Sequence, residues 1–169
     1  MPKNIVLTGM MGAGKTTVGR LLKMSLRKDF VDIDTEIEKE AGKTIVEIFE
    51  CYGEELFRKL EHKIILNFSR ESDIIISIGG GALENEENYI NLSSNGVLFY
   101  LQASAEELYE RVKHDKNRPL LKTLKPKDTL EKLLKKREER YLLSDEVIET
   151  SGKSAANIVE EIKVRYEKY

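Results

Sequence analysis

The sequence has a single cysteine, Cys51, a single glutamine, Gln102, and no apolar run longer than the five residues Val97–Leu101. It also has almost no net charge, with 28 Lys and Arg against 30 Asp and Glu. One cysteine rules out an internal disulfide framework and suits a reducing compartment. A run of five apolar residues is far short of the ~20 that a bilayer-spanning helix needs. Near-neutral charge argues against a generic nucleic-acid or membrane-surface binder, both of which carry a basic excess. Residues Met1 to Asn4 lead into a strand-like run without the apolar core of a signal peptide, so a cytoplasmic location is expected. The charge that is present leans on Glu and Lys, a bias reported for hyperthermophile proteins.

At 169 residues, one domain spanning 1–169 is the default expectation. No internal repeat, low-complexity tract or linker interrupts it. Apolar runs alternate with helical patterns. Ile5–Leu7 reads as a buried strand ending at Gly9, and Thr16–Leu26 as a helix with Val18, Leu21 and Leu22 on its apolar side. Phe30–Ile33 is a second strand, after which Asp34 is expected to cap an acidic helix that Gly42 ends. Helical patterns follow at Ile45–Cys51 and Glu54–Arg70, then a strand at Asp73–Ile78 stopped by Gly79-Gly80-Gly81. Val97–Leu101 is a further strand, Ser104 with Glu107 forms a capping box, and Leu130–Leu143 is helical. Glu146–Glu149 fits an edge strand, and Ser154 caps a last helix. The alternation predicts an α/β domain, three layers deep, around a central parallel sheet of about five strands.

Gly9-Met10-Met11-Gly12-Ala13-Gly14-Lys15-Thr16 matches the phosphate-loop pattern G-x-x-x-x-G-K-[ST] in full, between a strand and a helix. Glycines let the chain curl so that successive N–H groups point inward, and the helix start adds partial positive charge. The expected nucleotide-binding set is Gly12, Ala13, Gly14, Lys15, Thr16 and Thr17, with Lys15 on the outer phosphates and the Thr16 hydroxyl on Mg²⁺. An ordinary glycine-rich turn is the competing explanation. The chain lacks the Asn-Lys-x-Asp guanine motif and the Leu-Ser-Gly-Gly transporter signature, which leaves a small-molecule or nucleotide kinase.

Beside this loop stand Asp32-Ile33-Asp34, the stretch Gly53 to Glu61, Gly79-Gly80-Gly81, Arg118-Pro119-Leu120-Leu121 and Arg137-x-x-x-Tyr141. In order and spacing the series resembles the shikimate kinase family, from about Ile5 to Tyr141. The resemblance implies a P-loop kinase fold, ATP as co-substrate, Mg²⁺, and transfer of phosphate to the 3-hydroxyl of shikimate on the route to chorismate and aromatic amino acids. It assigns the substrate carboxylate to Arg58 and Arg137, apolar pocket positions to Phe49 and Phe57, and backbone contacts to Gly79, Gly80 and Gly81. Asp34 matches the residue that binds the ring hydroxyls and takes the attacking proton, and Asp32 the one that holds Mg²⁺ through water. Arginine suits the clamp because its planar fork pairs with a carboxylate bidentately. Glu61, three residues on from Arg58 on the same helix face, is placed to hold that guanidinium. Each residue also has a plainer reading: a solvated ion pair for Arg58, core aromatics for the phenylalanines, an N-cap for Asp34, a tight turn for the glycines.

Positive charge concentrates in one place, six Lys and Arg from Lys113 to Lys127 against Asp115 alone. A mobile basic loop is the plain explanation, and a lid over ATP phosphates the sharper one. The resemblance makes Arg118 the lid arginine that stabilises charge on the transferring phosphoryl group, puts Arg111 against adenine, and puts Ser151-Gly152-Lys153 at the adenine loop. Substrate-binding helices are expected at about 34–61 and the lid at about 113–127. Catalysis would rest on Lys15, Asp34 and Arg118, the partners being two small molecules, with no nucleic acid or membrane and a monomeric chain. Two alternatives remain at this point: another small-molecule P-loop kinase, such as one for gluconate, or a catalytically silent shikimate-binding homologue.

Overall fold

A computed structural model describes residues 3–115 and 121–169. Five strands form one sheet: β1 (Asn4–Thr8), β2 (Asp29–Asp32), β3 (Ile74–Ser77), β4 (Gly96–Gln102) and β5 (Glu146–Glu149). Their order is β2-β3-β1-β4-β5, and every pairing is parallel, with Ile5 opposite Ile75 on one side and Val97 on the other. The expected five-stranded parallel sheet is therefore present, with Glu146–Glu149 at an edge.

The helices are α1 (Lys15–Leu26), α2 (Ile33–Ala41), α3 (Ile45–Phe68), α4 (Glu86–Asn95), α5 (Ala105–Val112), α6 (Pro126–Tyr141) and α7 (Ala155–Tyr166). Strand order and the right-handed crossover rule together decide their layers. The step from β1 to β2 runs one way along the sheet; those from β2 to β3, β3 to β4 and β4 to β5 run the other way. Helix α1 therefore lies on one face with α7 against it, and α3 and α4 pack on the opposite face. Strands covered on both faces read as continuous apolar runs, which is why Ile5–Leu7, Ile75–Ile76 and Val97–Leu101 are all buried.

Local signals set most boundaries. Thr44 and Glu47 form a reciprocal capping box on α3, Ser104 caps α5, and Ser154 caps α7. One expectation is corrected: Asp34 does not cap α2. The cap is Asp32, whose carboxylate accepts from Asp34 N at 3.2 Å, so Asp34 lies inside the first turn. Helix α4, capped by Asn85, had no counterpart in the sequence reading. It is short and polar, so it carries little apolar periodicity to see.

Helix α3 is two helical segments joined at a kink at Gly53, where φ is 79° and ψ is 175°. That conformation is essentially closed to L-residues. The break separates Phe49 from Phe57 and Arg58 and turns both segments toward the same cleft. A Cβ added at Gly53 would meet nothing within 4 Å, so a substitution there is penalised through the backbone alone. Gly53→Ala is expected to destabilise the fold by about 1–3 kcal/mol. For a chain of this size that lowers Tm by about 3–10 °C, measurable by thermal unfolding.

Candidate active site

The sheet order reverses at β1, and in open α/β sheets that is where a cleft opens beyond the strand carboxyl ends. A cleft of about 460 Å³ occupies this position. Its two halves come from the loops that leave adjacent strands, β1 and β3.

The β1 loop supplies the first half. Helix α1 starts at Gly14 with no side-chain cap and no acidic residue in its first turn. Its leading N–H groups are thus left for an anionic ligand, and the helix dipole favours one. Gly12, Gly14, Lys15, Thr16 and Thr17 line the cleft. Ala13 is buried under the loop, its N–H donating to Met10 O at 3.1 Å. Lys15 Nζ folds back over the loop to Gly9 O at 2.8 Å and Met10 O at 3.0 Å, which keeps a charge at the cleft floor. Arg111 closes one side by donating to Gly12 O at 3.2 Å.

Thr16 and Asp32 meet across this floor, the Thr16 hydroxyl donating to Asp32 Oδ2 at 2.7 Å. The other Asp32 oxygen caps α2, so one carboxylate fixes both a helix start and the threonine. Hard oxygen donors in this small number suit Mg²⁺, which binds through one or two protein oxygens and takes the rest of its shell from phosphate and water.

The β3 loop supplies the second half. Asp34, Phe49, Phe57 and Arg58 line it together with Gly79, Gly80 and Gly81, and Glu61 and Arg137 complete it. The two phenylalanine rings stand 4.9 Å apart, and Arg58 lies over the face of Phe57 at 5.1 Å. Arg58 pairs with Glu61 at 2.8 Å and Glu54 at 3.0 Å. A Cβ at Gly81 would sit 2.5 Å from Arg58 Nη2 and 2.9 Å from Arg137 Nη2. Glycine leaves room for both guanidinium groups where they stand.

Groups behind the turn hold it in shape. The Tyr141 hydroxyl donates to Gly80 O, Asn88 Nδ2 donates to Ala82 O at 3.0 Å, and Glu84 N donates to Gly81 O at 3.1 Å. Burial pushes the Tyr141 phenol well above its usual range, so it remains a donor. Arg137 is almost wholly buried and pairs through Nε with Glu84 at 2.7 Å. Glu84 and Asn88 were absent from the sequence reading, and Tyr141 entered it only within a motif. Their partners lie 53, 6 and 61 residues away along the chain. No short spacing could have shown the two distant pairs.

Lys153, expected at the nucleotide site, pairs with Glu161 at 2.6 Å. The Ser151 hydroxyl beside it is bonded to Glu107. Arg118 lies outside the described residues.

Glu61 is a strongly perturbed carboxyl of the site. Burial raises its pKa from 4.5 to about 7, with Arg58 opposing and the nearby Asp34 carboxylate adding to the rise. Burial also works against the Arg58 charge, but Glu61 and Glu54 outweigh it and raise that pKa. The folded chain therefore holds the Glu61 proton more tightly than the unfolded chain. The resulting stabilisation is complete below pH 4.5 and is lost as pH rises through about 7. Unfolding free energy from denaturant titrations should thus decline across that window in the native sequence, and Glu61→Gln should remove that part of the slope.

Comparison with known proteins gives this geometry a context. The sequence model of a family described as shikimate kinase matches residues 11–167. The shikimate kinase of Caldanaerobacter subterraneus subsp. tengcongensis is 42% identical over 160 residues, covering 95% of this chain and 94% of its own. That of Methylococcus capsulatus is 43% identical over 167 residues, covering 98% and 93%. The structure of the shikimate kinase from Acinetobacter baumannii in complex with shikimate superposes with a TM-score of 0.95 at 38% identity, covering 98% of this chain and 93% of that one. A gluconokinase from Sinorhizobium meliloti, 16% identical with a TM-score of 0.58 over 99% of this chain and 93% of its own, shares only the fold. With the phosphate loop, the paired arginines and the glycine turn in one cleft, and with relatives of this similarity along nearly its whole length, the chain belongs to the shikimate kinase family.

Proposed function

We propose that the chain transfers the γ-phosphoryl group of ATP to the 3-hydroxyl of shikimate, giving 3-phosphoshikimate and ADP. The observation that carries this reading is the convergence of Arg58 and Arg137 on Gly81, one strand away from the phosphate loop. Two converging guanidinium groups suit a small carboxylate, whereas a neutral acceptor could not pair with both of the Nη2 groups that meet at Gly81. Phe49 and Phe57 offer a wall for a ring. Asp34, in the first turn of α2, faces the same space from the phosphate-loop side.

The acceptor hydroxyl attacks the γ-phosphorus in line with the bond to the bridging oxygen. Asp34 orients that hydroxyl and accepts its proton as the new oxygen–phosphorus bond forms. Phosphoryl transfer is loose in most analyses, so this orientation counts for more than the strength of the base. Lys15 and the start of α1 stabilise the charge that gathers on the departing ADP oxygens. The Thr16 hydroxyl and Asp32 would hold Mg²⁺, which would supply charge neutralisation on the phosphates. Arg111 packs beside the adenine end. By its place in the family pattern, Arg118 answers charge on the transferring group, within a lid of residues 113–127. Every group named comes from one copy of the chain, so a monomer is sufficient. Among the described residues no helix is long and apolar enough to cross a membrane.

A coupled assay of ADP release tests the reading, with shikimate as acceptor and gluconate and nucleoside monophosphates as controls. Turnover should require shikimate; turnover with gluconate alone would overturn the assignment. Lys15→Ala and Asp34→Asn should each lower kcat by about 10²–10⁴-fold. Arg58→Ala and Arg137→Ala should raise KM for shikimate by about tenfold or more while leaving KM for ATP within about twofold, because each removes a charged hydrogen bond to the acceptor.

A further inference from the structure

The two arginines of the acceptor half are braced in different ways. Arg58 lies beside two glutamates of its own helix, Glu54 and Glu61. Such neighbours come with helical spacing. Arg137, on α6, is the more deeply buried, its side chain 4% exposed. It has no such pair on its own helix. Its carboxylate partner is Glu84, whose Oε1 accepts from Arg137 Nε at 2.7 Å. Its Nη1 lies 3.9 Å from the weak acceptor Met10 Sδ. A buried guanidinium that loses its one carboxylate partner becomes an uncompensated charge.

Glu84 is also unusual in where it stands. It closes the 3-10 turn Ala82–Glu84 that follows the glycine run, and its N–H donates to Gly81 O at 3.1 Å. The carboxylate that grips Arg137 is thus part of the same rigid turn as the glycine against which Arg137 rests. The bond uses the Nε edge and leaves Nη2 directed at Gly81, where Arg58 Nη2 also arrives. Without a ligand those two cations repel one another. Arg58 is restrained by its helix neighbours, so repulsion would displace Arg137 unless something tied it to the turn. The second Glu84 oxygen takes Lys136 Nζ at 2.5 Å, and that lysine is largely exposed. The two cations overcome the burial of Glu84 and hold its pKa below the usual carboxylate range, so it is charged at neutral pH.

We infer that Glu84 is a positioning residue for acceptor binding: it tethers Arg137 to the glycine turn and so presents its Nη2 edge to the carboxylate of the incoming substrate. This rests on the functional reading above and extends it to a residue outside the recognised motifs. Glu84 touches no reacting atom. Its effect should therefore fall on acceptor affinity and not on the chemical step.

The test combines kinetics with a measurement that needs no substrate. Glu84→Gln should raise KM for shikimate by about tenfold, with KM for ATP within about twofold and kcat lowered by less than about threefold. Glu84→Asp, which keeps the charge on a shorter arm, should restore part of the loss. Lys136→Ala should leave KM for shikimate within about twofold, since it removes only the partner on the far oxygen. In parallel, the Arg137 Nε–H signal, assigned by its disappearance in Arg137→Lys, should exchange with solvent at least about tenfold faster in Glu84→Gln. The inference is overturned by an unchanged KM for shikimate, by equal rises in both KM values, or by a KM shift without faster exchange. Failure of the unaltered chain to phosphorylate shikimate would instead defeat the functional reading. The exchange rates, with shikimate binding measured by calorimetry, would still decide the role of Glu84.

Discussion

Two guanidinium groups arrive at one glycine. Everything around the acceptor half of the cleft follows from making that arrangement tolerable. Like charges brought together away from water repel strongly, and each is costly to bury alone. The fold answers with carboxylates set behind each arginine, Glu54 and Glu61 behind Arg58 and Glu84 behind Arg137. Glycine at position 81 removes the side chain that would otherwise hold the two apart. The site is left with cationic ends facing inward and anionic groups facing away, a polarity that only an anion entering the cleft can complete.

The donor half meets the same electrostatic problem by backbone means. Helix α1 brings its uncapped start to the cleft, and Lys15 lies back over the loop carbonyls. Positive potential there comes from peptide dipoles together with the Lys15 and Arg111 side chains. Asp32 and Asp34 then supply negative charge between the two halves, where a metal ion and a proton have to be handled. The near-zero net charge of the chain conceals this, because the fold sorts opposite charges into separate places over a few ångströms.

Much of this was legible in the sequence, and the reasons are specific. Strands covered on both faces must be continuously apolar, so Ile5–Leu7 and Val97–Leu101 announce themselves. The phosphate loop uses residues adjacent in the chain, so its pattern is local. Arg58 with Glu61 is local too, being set by helix periodicity. What was not legible depends on pairs brought together only by folding: Glu84 with Arg137, Tyr141 with Gly80. Asp32 and Asp34 show the limit of local reasoning from the other side. Asp32 caps α2 with one oxygen while the other accepts from Thr16, sixteen residues earlier, a bond that no local pattern shows.

The parallel pairing of β1 with β3 has a further meaning. Neighbouring strands in a sheet are spaced ~4.8 Å apart by their hydrogen bonds, a distance no side chain can alter. The loop for phosphate leaves one of these strands and the turn for the acceptor leaves the other. The backbone ladder therefore works as a ruler that fixes the gap between two bound molecules before either arrives. Loops, helices and side chains may diverge in sequence, yet the interval across which a phosphoryl group must pass is written in the geometry of the peptide bond.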